Sequence, residues 1–347
     1  MRVEYRAAMA RTAIAIFGAG AIGCWVGGRL AAGGAGVTLI GRARIMGELA
    51  GGLRTTDLDG GEAAAGVGPG APVQVATEPA AARGADLVLV TVKSAQTADA
   101  GAALAGVLPE GAIVVSFQNG VRNAEALRAA LPGRRVLAAM VPFNVVRRAP
   151  GAYHRASAGI LRIDDDPAAA PLVAACRAAA LPIEPRGDMA AVQWGKLVLN
   201  LNNAINALSG LPLAAELAQR PFRRCLAAAQ REALELLARA GVPVAKLTAI
   251  PPRWMPGLLD VPDRVFRILG RRVVAIDPAA RSSMWDDLEA GRPTEIDYLQ
   301  GEIVELARRV GGAAPVNGAL AALVRAAEAG GRRDFSGQEL AAALGLP

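Results

Sequence analysis

The fold of this chain is decided by residues Thr12–Gly23, which read TAIAIFGAGAIG. The apolar run Thr12–Phe17 is typical of a buried strand, and Cys24–Ala32, after the glycines, is compatible with a helix. The turn between them has the pattern G-x-G-x-x-G, and this strand–turn–helix setting is the one in which the pattern binds a dinucleotide. The alternative is a turn without a binding role, since glycine is common in this chain. The position of the turn between a strand and a helix favours the dinucleotide-binding interpretation.

Each glycine of the turn has a separate physical task. Gly18 permits the tight turn, Gly20 lets a pyrophosphate approach the backbone, and Gly23 lets the helix pack on the strand. Ala21 and Ile22 stand at the helix N-terminus, where free N–H groups and a partial positive charge favour phosphate. These five residues are therefore predicted to bind the cofactor.

The end of the second predicted strand indicates which dinucleotide is bound. Val37–Ile40 is followed by Gly41-Arg42-Ala43-Arg44, with no acid at the place where an NAD site holds the ribose hydroxyls. Arg42 can instead meet a 2′-phosphate with two hydrogen bonds. The sequence therefore favours NADP over NAD, although Arg42 could also be a solvent-exposed loop residue.

Two further strands are predicted at Asp86–Thr91 and Ala112–Ser116. Lys93 follows the first strand and Asn119 the second, so both lie at strand ends, where ligands bind in doubly wound sheets. Ordinary turn chemistry is the alternative for both, since Asn-Gly is a common turn dipeptide.

The alternation continues with predicted strands at 136–146 and 159–164. The only histidine, His154, is predicted to lie in a loop with a structural role. The acidic run Asp164–Asp166 is predicted to be a solvated turn before a helix, and no metal site is assigned.

The pattern changes to helical periodicity at Met189. We predict three segments: an N-terminal extension at 1–11, a Rossmann-type α/β domain at 12–188 and an all-α domain at 189–347. A chain of 347 residues is long enough for two domains with separate cores.

Composition excludes several classes of protein. There is no apolar run of about 18 residues or more, so a membrane span is not predicted. The net charge of +7 comes from scattered arginines rather than from a basic patch with aromatic residues, which disfavours nucleic acid and favours a small anionic partner. Three widely spaced cysteines, Cys24, Cys176 and Cys225, indicate a reducing cytoplasm.

A second stretch concentrates the rare polar residues. Of 38 basic residues only three are lysines, and one of them is Lys196; four of the eight asparagines lie between Asn200 and Asn206. At helical spacing Lys196, Asn200 and Asn203 share one face. Placing an amine and two amides on a burying face is costly unless a ligand or a partner satisfies them.

Taken together, these residues resemble the ketopantoate reductase family (2-dehydropantoate 2-reductases). The resemblance extends from Thr12 to about Ala327. It is carried by G-x-G-A-I-G at 18–23, V-K-S-A-Q at 92–96, Q-N-G at 118–120, W-G-K-x-x-x-N at 194–200, and S-M with T-E-I-D at 283–284 and 294–297. It implies a Rossmann domain, a helical domain, an active site between them, and NADPH-dependent reduction of 2-ketopantoate to pantoate.

The resemblance also implies site residues. Lys196 matches the catalytic lysine, Asn200 the first substrate amide, and Ser283 and Glu295 substrate-binding groups, with Glu295 counted among the catalytic residues. Lys93, Gln96 and Asn119 would line the cofactor side. Where the family has its second asparagine this chain has Ala204, so either Asn203 or Asn206 takes that role.

The chemistry is consistent with these assignments. Hydride transfer to a ketone builds negative charge on oxygen, and Lys196 can attract a keto acid and deliver the proton. Glu295 can accept a hydrogen bond from a substrate hydroxyl, although a first-turn acid that favours the helix dipole is the alternative. Two alternative functions are consistent with the same residues: a reductase of another 2-keto acid or of an opine-like substrate, and a catalytically silent NADP-binding sensor. A homodimer is compatible with the sequence, which does not determine the oligomeric state.

Overall fold

The computed structural model describes residues 12–270 and 280–347. The chain divides into two compact units, of which the first ends at Met189 and the second begins at Ala190. The domain boundary predicted at residue 188 lies one residue before this division. The predicted extension at 1–11 lies outside the described residues.

The first unit alternates strands and helices. Its strands are β1 (Ala13–Phe17), β2 (Gly36–Ile40), β3 (Leu53–Thr56), β4 (Glu62–Ala65), β5 (Val73–Ala76), β6 (Leu87–Val90), β7 (Ile113–Ser116), β8 (Arg135–Met140), β9 (Val145–Ala149), β10 (Ala152–Arg155), β11 (Leu161–Asp164) and β12 (Ile183–Arg186). Its helices are α1 (Ala21–Ala32), α2 (Ala43–Glu48), α3 (Thr97–Ala105), α4 (Asn123–Ala130) and α5 (Ala170–Ala178), with short 3-10 turns at Pro79–Ala82, Ser94–Gln96 and Pro167–Ala169.

Eight of these strands form one sheet in the order β12-β11-β8-β7-β6-β1-β2-β5. The pairs from β8 to β5 are parallel, and β11 runs antiparallel to β8. All four residues of β6, Leu87–Val90, are fully buried, as expected for a central strand covered on both faces. The predicted Rossmann-type α/β fold is confirmed.

A second sheet, in the order β4-β3-β10-β9, packs against α1. Trp25 of α1 is fully buried and meets the Phe143 ring edge-on at 5.1 Å between centroids. The guanidinium carbons of Arg29 and Arg155 lie 5.4 and 5.6 Å from the centroid of the Trp25 ring. Both arginines form ion pairs with Asp57, which compensates the burial of that carboxylate.

Two predictions for this region were wrong in detail. The strand predicted at 136–146 is two strands, β8 and β9, which belong to different sheets because the chain leaves the first sheet around Pro142. His154 lies in β10 rather than in a loop, and its Nδ1 is 2.8 Å from Thr56 Oγ1. The acidic run agrees with its prediction: Asp164 ends β11, and Asp165 and Asp166 lie between that strand and the 3-10 turn before α5, which Asp166 caps by accepting from the Ala168 N–H.

Every secondary-structure element in the described residues of the second unit is a helix or a 3-10 turn, and the predicted all-α class is confirmed. Its helices are α6 (Met189–Asn200, whose first residue belongs to the first unit), α7 (Asn202–Ser209), α8 (Leu213–Leu217), α9 (Arg220–Arg239), α10 (Met255–Leu259), α11 (Asp263–Gly270), α12 (Ser283–Glu289), α13 (Gln300–Arg309), α14 (Pro315–Glu328) and α15 (Gly337–Ala343), with 3-10 turns at Pro252–Trp254 and Ile296–Tyr298. Among the described residues no helix is both long and apolar enough to cross a bilayer.

The three cysteines are buried in the two cores and are free thiols. Burial raises the pKa of Cys24 to about 11 and the pKa of Cys176 and Cys225 to about 12. All three side chains are therefore protonated, apolar packing groups at neutral pH.

Candidate active site

The three glycines of the turn after β1 differ in whether a side chain would fit: there is room for a Cβ at one of them and none at the other two. Gly18 has a φ of +113°, and a Cβ there would lie 2.6 Å from the Val92 nitrogen. A Cβ on Gly23 would lie 2.5 Å from the Gly18 carbonyl oxygen. Gly20, in contrast, has no atom within 4 Å of its Cβ position. Gly18 and Gly23 thus serve the fold, whereas Gly20 keeps a surface open in front of the backbone.

The N-terminus of α1 points its amides at this open surface. The Gly20 N–H is used within the turn, where it donates to the Gly18 carbonyl at 2.7 Å, and the first helical bond runs from Cys24 N to Gly20 O at 2.9 Å. The N–H groups of Ala21, Ile22 and Gly23 precede that bond and meet no acceptor among the described residues. Three amides and the positive end of the helix dipole are what a pyrophosphate needs.

Arg42 and Arg44 differ sharply although they stand two residues apart at the end of β2. Arg44 donates to Glu48 of α2 at 2.5 Å. Arg42 is exposed, and its side chain forms no hydrogen bond or ion pair with any other described residue. Its loop adjoins the glycine turn, because a Cβ on Gly41 would lie 2.8 Å from Ala19 Cβ. Arg42 is therefore the available cation at this edge.

A buried polar network joins the loops that follow β6 and β7. Gln118 donates from Nε2 to the Val92 carbonyl at 3.0 Å and to Thr97 Oγ1 at 2.7 Å. Thr97 donates to Asn123 Oδ1 at 2.9 Å. The Ser94 hydroxyl donates to the Asn119 carbonyl at 3.0 Å. The sequence predicted no positioning role for Ser94, Thr97, Gln118 or Asn123, although hydroxyl and amide residues in an apolar setting are a visible signal.

This network fixes the predicted cofactor residues of the two loops. Lys93 is half-buried and directly precedes the 3-10 turn Ser94–Gln96, at whose end Gln96 is exposed. Asn119 is half-buried and is held through its carbonyl. The glycine turn is adjacent, since Thr91 donates to the Gly18 carbonyl at 2.6 Å. The structure thus gathers the predicted cofactor residues at the carboxyl edge of one sheet.

In the second unit, α6 and α7 present one open face. Between Ala191 and Ser209 every residue is buried except four: Lys196, Leu199, Asn200 and Asn203. These positions follow the i, i+3, i+4, i+7 spacing of a single helical face. The face continues across Leu201, the single residue between α6 and α7. The predicted grouping of the lysine with two amides agrees with this pattern.

Lys196 is a partly buried amine with an altered pKa. Burial lowers the pKa of its ammonium from 10.5 to about 8. An amine with a pKa near 8 transfers a proton far more readily at neutral pH than an ordinary lysine does. This environment is what a general acid in this position requires.

Exposure and hydrogen bonding separate the two candidates for the second amide. Asn206 is fully buried, and its Nδ2 donates to the Leu211 carbonyl at 2.9 Å and to Glu216 Oε2 at 2.8 Å. Its Oδ1 accepts from the Ser282 N–H at 2.8 Å. Both amide protons are therefore used inside the protein. Asn203 is partly exposed on the open face. Its side chain forms no hydrogen bond with the rest of the described chain, and its backbone carbonyl accepts from Ser282 Oγ at 3.2 Å.

Ser283 and Glu295 lie in segments tied to this helix pair. Ser283 is exposed and begins α12, directly after Ser282, which caps that helix by accepting from Trp285 N at 3.1 Å. Glu295 is partly exposed and directly precedes the 3-10 turn Ile296–Tyr298. Its segment is anchored by Gln300, whose Nε2 donates to the Leu201 carbonyl at 2.8 Å, where the helix is interrupted.

The Rossmann-type sheet with its glycine turn and the helical second unit define the class of two-domain, dinucleotide-dependent oxidoreductases. Two family models match the chain: "Ketopantoate reductase PanE/ApbA" over residues 14–167, and its C-terminal counterpart over residues 188–328. The chain belongs to the ketopantoate reductase family, as the sequence motifs predicted.

Individual relatives agree with this assignment. A 2-dehydropantoate 2-reductase of Halobacterium salinarum is 32% identical over 329 residues, which cover 92% of this chain and 99% of the relative. The crystal structure of a PanE/ApbA family ketopantoate reductase from Ralstonia eutropha JMP134 superposes with a TM-score of 0.77 at 32% identity and covers 92% of this chain and 99% of its own. D-mandelate dehydrogenase with NADH and anilino(oxo)acetate superposes with a TM-score of 0.76, 19% identity and the same coverage of both chains, and shares the fold.

Proposed function

We propose that the protein reduces 2-dehydropantoate (2-ketopantoate) to pantoate with NADPH, with Lys196 as the general acid. The observation that carries the proposal is the open face of α6 and α7, where a lysine with a lowered pKa stands beside two amides in an otherwise buried segment. The family, whose cofactor is NADPH, supplies the class of reaction.

The residues at the edge of the first sheet fit this cofactor. Gly20 and the three N–H groups at the start of α1 offer a surface for the pyrophosphate, and Arg42 offers a cation for a 2′-phosphate. Lys93, Gln96 and Asn119 are proposed to line the same site. When bound, NADPH supplies the hydride for the keto carbon.

The residues of the second unit have separate tasks in this proposal. The Lys196 ammonium attracts the keto acid, stabilises the negative charge that develops on the carbonyl oxygen, and gives that oxygen its proton. Asn200 and Asn203 orient the substrate by donating to its oxygens. Ser283 and Glu295 bind the hydroxyl end, because a carboxylate accepts from a hydroxyl and repels a second carboxylate.

Steady-state kinetics tests the proposal. Purified protein is mixed with NADPH and either 2-dehydropantoate or other branched, aromatic or amino-substituted 2-keto acids, and the loss of NADPH absorbance is followed. We expect 2-dehydropantoate to have the highest kcat/KM. A higher kcat/KM with another keto acid would replace the substrate but keep the reaction, and no turnover with any of them would favour a silent NADP-binding protein.

Two further expectations accompany the proposal. The three free thiols support a reducing, cytoplasmic location, which stays a prediction. A homodimer also stays a prediction; a dimeric ketopantoate reductase from Staphylococcus aureus shares the fold at 18% identity and a TM-score of 0.69. Sedimentation of the purified protein measures the oligomeric state directly.

A further inference from the structure

Asn206 connects three separate segments of the helical unit from a fully buried position. It donates to the loop carbonyl of Leu211 and to Glu216 of α8, and it accepts from the backbone of Ser282 before α12. Ser282 is 76 residues away in the chain. The Asn206 side chain thus pairs with one donor and two acceptors, which belong to three segments. It holds these segments in fixed relative positions, because a shift of any of them would leave a buried polar group unpaired.

Glu216 is the fixed end of this connection. Its side chain is fully buried and accepts from Asn206 at 2.8 Å and from Asn202 at 3.5 Å. Burial raises the pKa of this carboxyl to about 8, so that it is mainly neutral at physiological pH. A neutral carboxyl can accept from the two amides without the cost of an unpaired buried charge.

Ser282 is the end of the connection that reaches the open face. Its N–H is held by Asn206, and its hydroxyl donates to the Asn203 carbonyl and accepts from Trp285 N. The next residue is Ser283, which is exposed. Asn203 and Ser283, two of the proposed substrate-binding residues, are therefore fixed relative to each other through Ser282.

We propose that Glu216 and Asn206 are positioning residues of the reductase site, which set the distance between Asn203 and Ser283 through Ser282 without touching the substrate. The inference rests on the proposed function, since Asn203 and Ser283 are substrate-binding residues only within it. It reassigns Asn206 from binding the substrate to placing the residues that bind it. Loss of the connection should weaken binding of the keto acid and leave NADPH binding intact.

Substitutions of Glu216 test the inference. Glu216→Leu keeps the volume and removes the acceptor, whereas Glu216→Gln keeps an acceptor oxygen for Asn206. We expect Glu216→Leu to raise KM for the keto acid by about tenfold, the cost of roughly one buried hydrogen bond, with the dissociation constant for NADPH within about twofold. Glu216→Gln should restore KM to within about threefold of the wild type.

Asn317→Ala is the matched control for a general loss of stability. Asn317 is also fully buried in this unit, and its Nδ2 donates to the Ala229 carbonyl at 3.1 Å and to Glu232 at 2.8 Å, both of α9 and neither bonded to Asn206 or Ser282. We expect it to lower the Tm about as much as Glu216→Leu does and to leave KM unchanged. An equal rise of KM in both variants, or a wild-type KM in Glu216→Leu, would overturn the inference.

Ser282→Ala tests the same connection if Glu216→Leu does not fold. It removes the bond to the Asn203 carbonyl and the cap of α12, and it should raise KM for the keto acid about fivefold. Its control is Ser336→Ala, which removes the cap of α15 in the same unit and should leave KM unchanged. A KM for Ser282→Ala that equals the KM for Ser336→Ala would contradict the inference.

The wild type separates this inference from the proposed function. If 2-dehydropantoate is not turned over but another keto acid is, the proposed substrate fails and the variants are compared with that acid. If no acid is turned over, calorimetric binding of pantoate to the NADP⁺ complex replaces KM in the same comparison. A wild type that neither turns over a keto acid nor binds pantoate overturns both.

Discussion

The glycine turn of the first unit and the α6–α7 face of the second both offer polar groups to a small ligand, but they do so by opposite means. At the turn the groups are backbone N–H donors, and Gly20 contributes by having no side chain. On the helix face the groups are side chains, and the burial of the surrounding positions confines them to one stripe. A backbone site can recognise any pyrophosphate, whereas a side-chain site sets the chemistry and the substrate.

The two regions also differ in what supports them. Behind the turn, steric contact with Gly18 and Gly23 fixes the backbone. Behind the helix face, buried hydrogen bonds from Asn206 and Gln300 hold it to other segments. Substitutions should therefore act through crowding in the first region and through lost hydrogen bonds or a lost charge in the second.

The largest effect is expected at Lys196. Lys196→Ala should lower kcat by about 10²-fold or more, because the proposed general acid is lost, with little change in NADPH binding. Lys246→Ala, at an exposed lysine in the same unit, is the control and should leave kcat unchanged. A nearly wild-type kcat for Lys196→Ala would show that Lys196 takes no part in the chemical step.

The lowered pKa of Lys196 predicts the pH dependence of the wild type. Only the protonated amine can donate, so kcat should be constant below a pH of about 8 and fall as the pH rises through it. An ordinary lysine would keep its proton to much higher pH. A kcat that does not change across this range would contradict the assignment of Lys196 as general acid.

The next largest effect is expected at Arg42, the side chain proposed to meet the 2′-phosphate of NADPH. Arg42→Ala should raise KM for NADPH by about 10- to 100-fold, since charged hydrogen bonds contribute roughly 1.5–3 kcal/mol, and should change KM for NADH little. Arg44→Ala, which breaks only the pair with Glu48, is the control. Equal losses with both cofactors would assign Arg42 to the fold or to the shared part of the nucleotide.

Two glycines of the turn should separate crowding from binding. Gly23→Ala should lower the free energy of unfolding by about 1–3 kcal/mol, because its Cβ overlaps the Gly18 carbonyl. Gly20→Ala should leave the Tm unchanged and raise KM for NADPH roughly tenfold, because its methyl group would occupy the surface proposed for the pyrophosphate. Denaturation curves measure the stability of the two variants, and titrations measure their affinity for NADPH. An unchanged NADPH affinity in Gly20→Ala would contradict the pyrophosphate site proposed at Gly20.

The smallest effect is expected at Asn203. Asn203→Ala should raise KM for the keto acid about fivefold to tenfold, the contribution of one hydrogen bond, with an unchanged Tm. Asn144→Ala, at an exposed asparagine of the first unit, should change neither quantity. If Asn203→Ala lowers the Tm and leaves KM as it was, Asn203 supports the fold and the open face ends at Asn200.

The sequence predicted those parts of the fold that depend on local patterns. Apolar runs gave the central strands and the glycine turn gave the first helix, because burial on both faces and tight turns leave few alternatives. The run at 136–146 misled, since it looks continuous although Pro142 interrupts it and the two halves join different sheets. His154 was placed in a loop because a four-residue strand carries too little periodicity to recognise.

The grouping of residues in the candidate site was predictable from a local pattern as well. Helical spacing grouped Lys196, Asn200 and Asn203, and the exposure pattern has that spacing. The role of Asn206 was not predictable, because its partners Glu216 and Ser282 stand 10 and 76 residues away. A hydrogen bond between residues so far apart leaves no local sequence pattern. The sequence therefore does not distinguish an amide that faces a ligand from one that is buried in the core.

The buried thiols have a practical consequence for measurement. Cys24, Cys176 and Cys225 are inaccessible and protonated at neutral pH, so a maleimide reagent, which needs a thiolate, should leave the folded protein unlabelled. A single cysteine introduced at an exposed position, such as Lys246, would then carry one fluorophore without removal of any native cysteine. The wild-type sequence is thereby a ready background for optical measurements of ligand binding in solution.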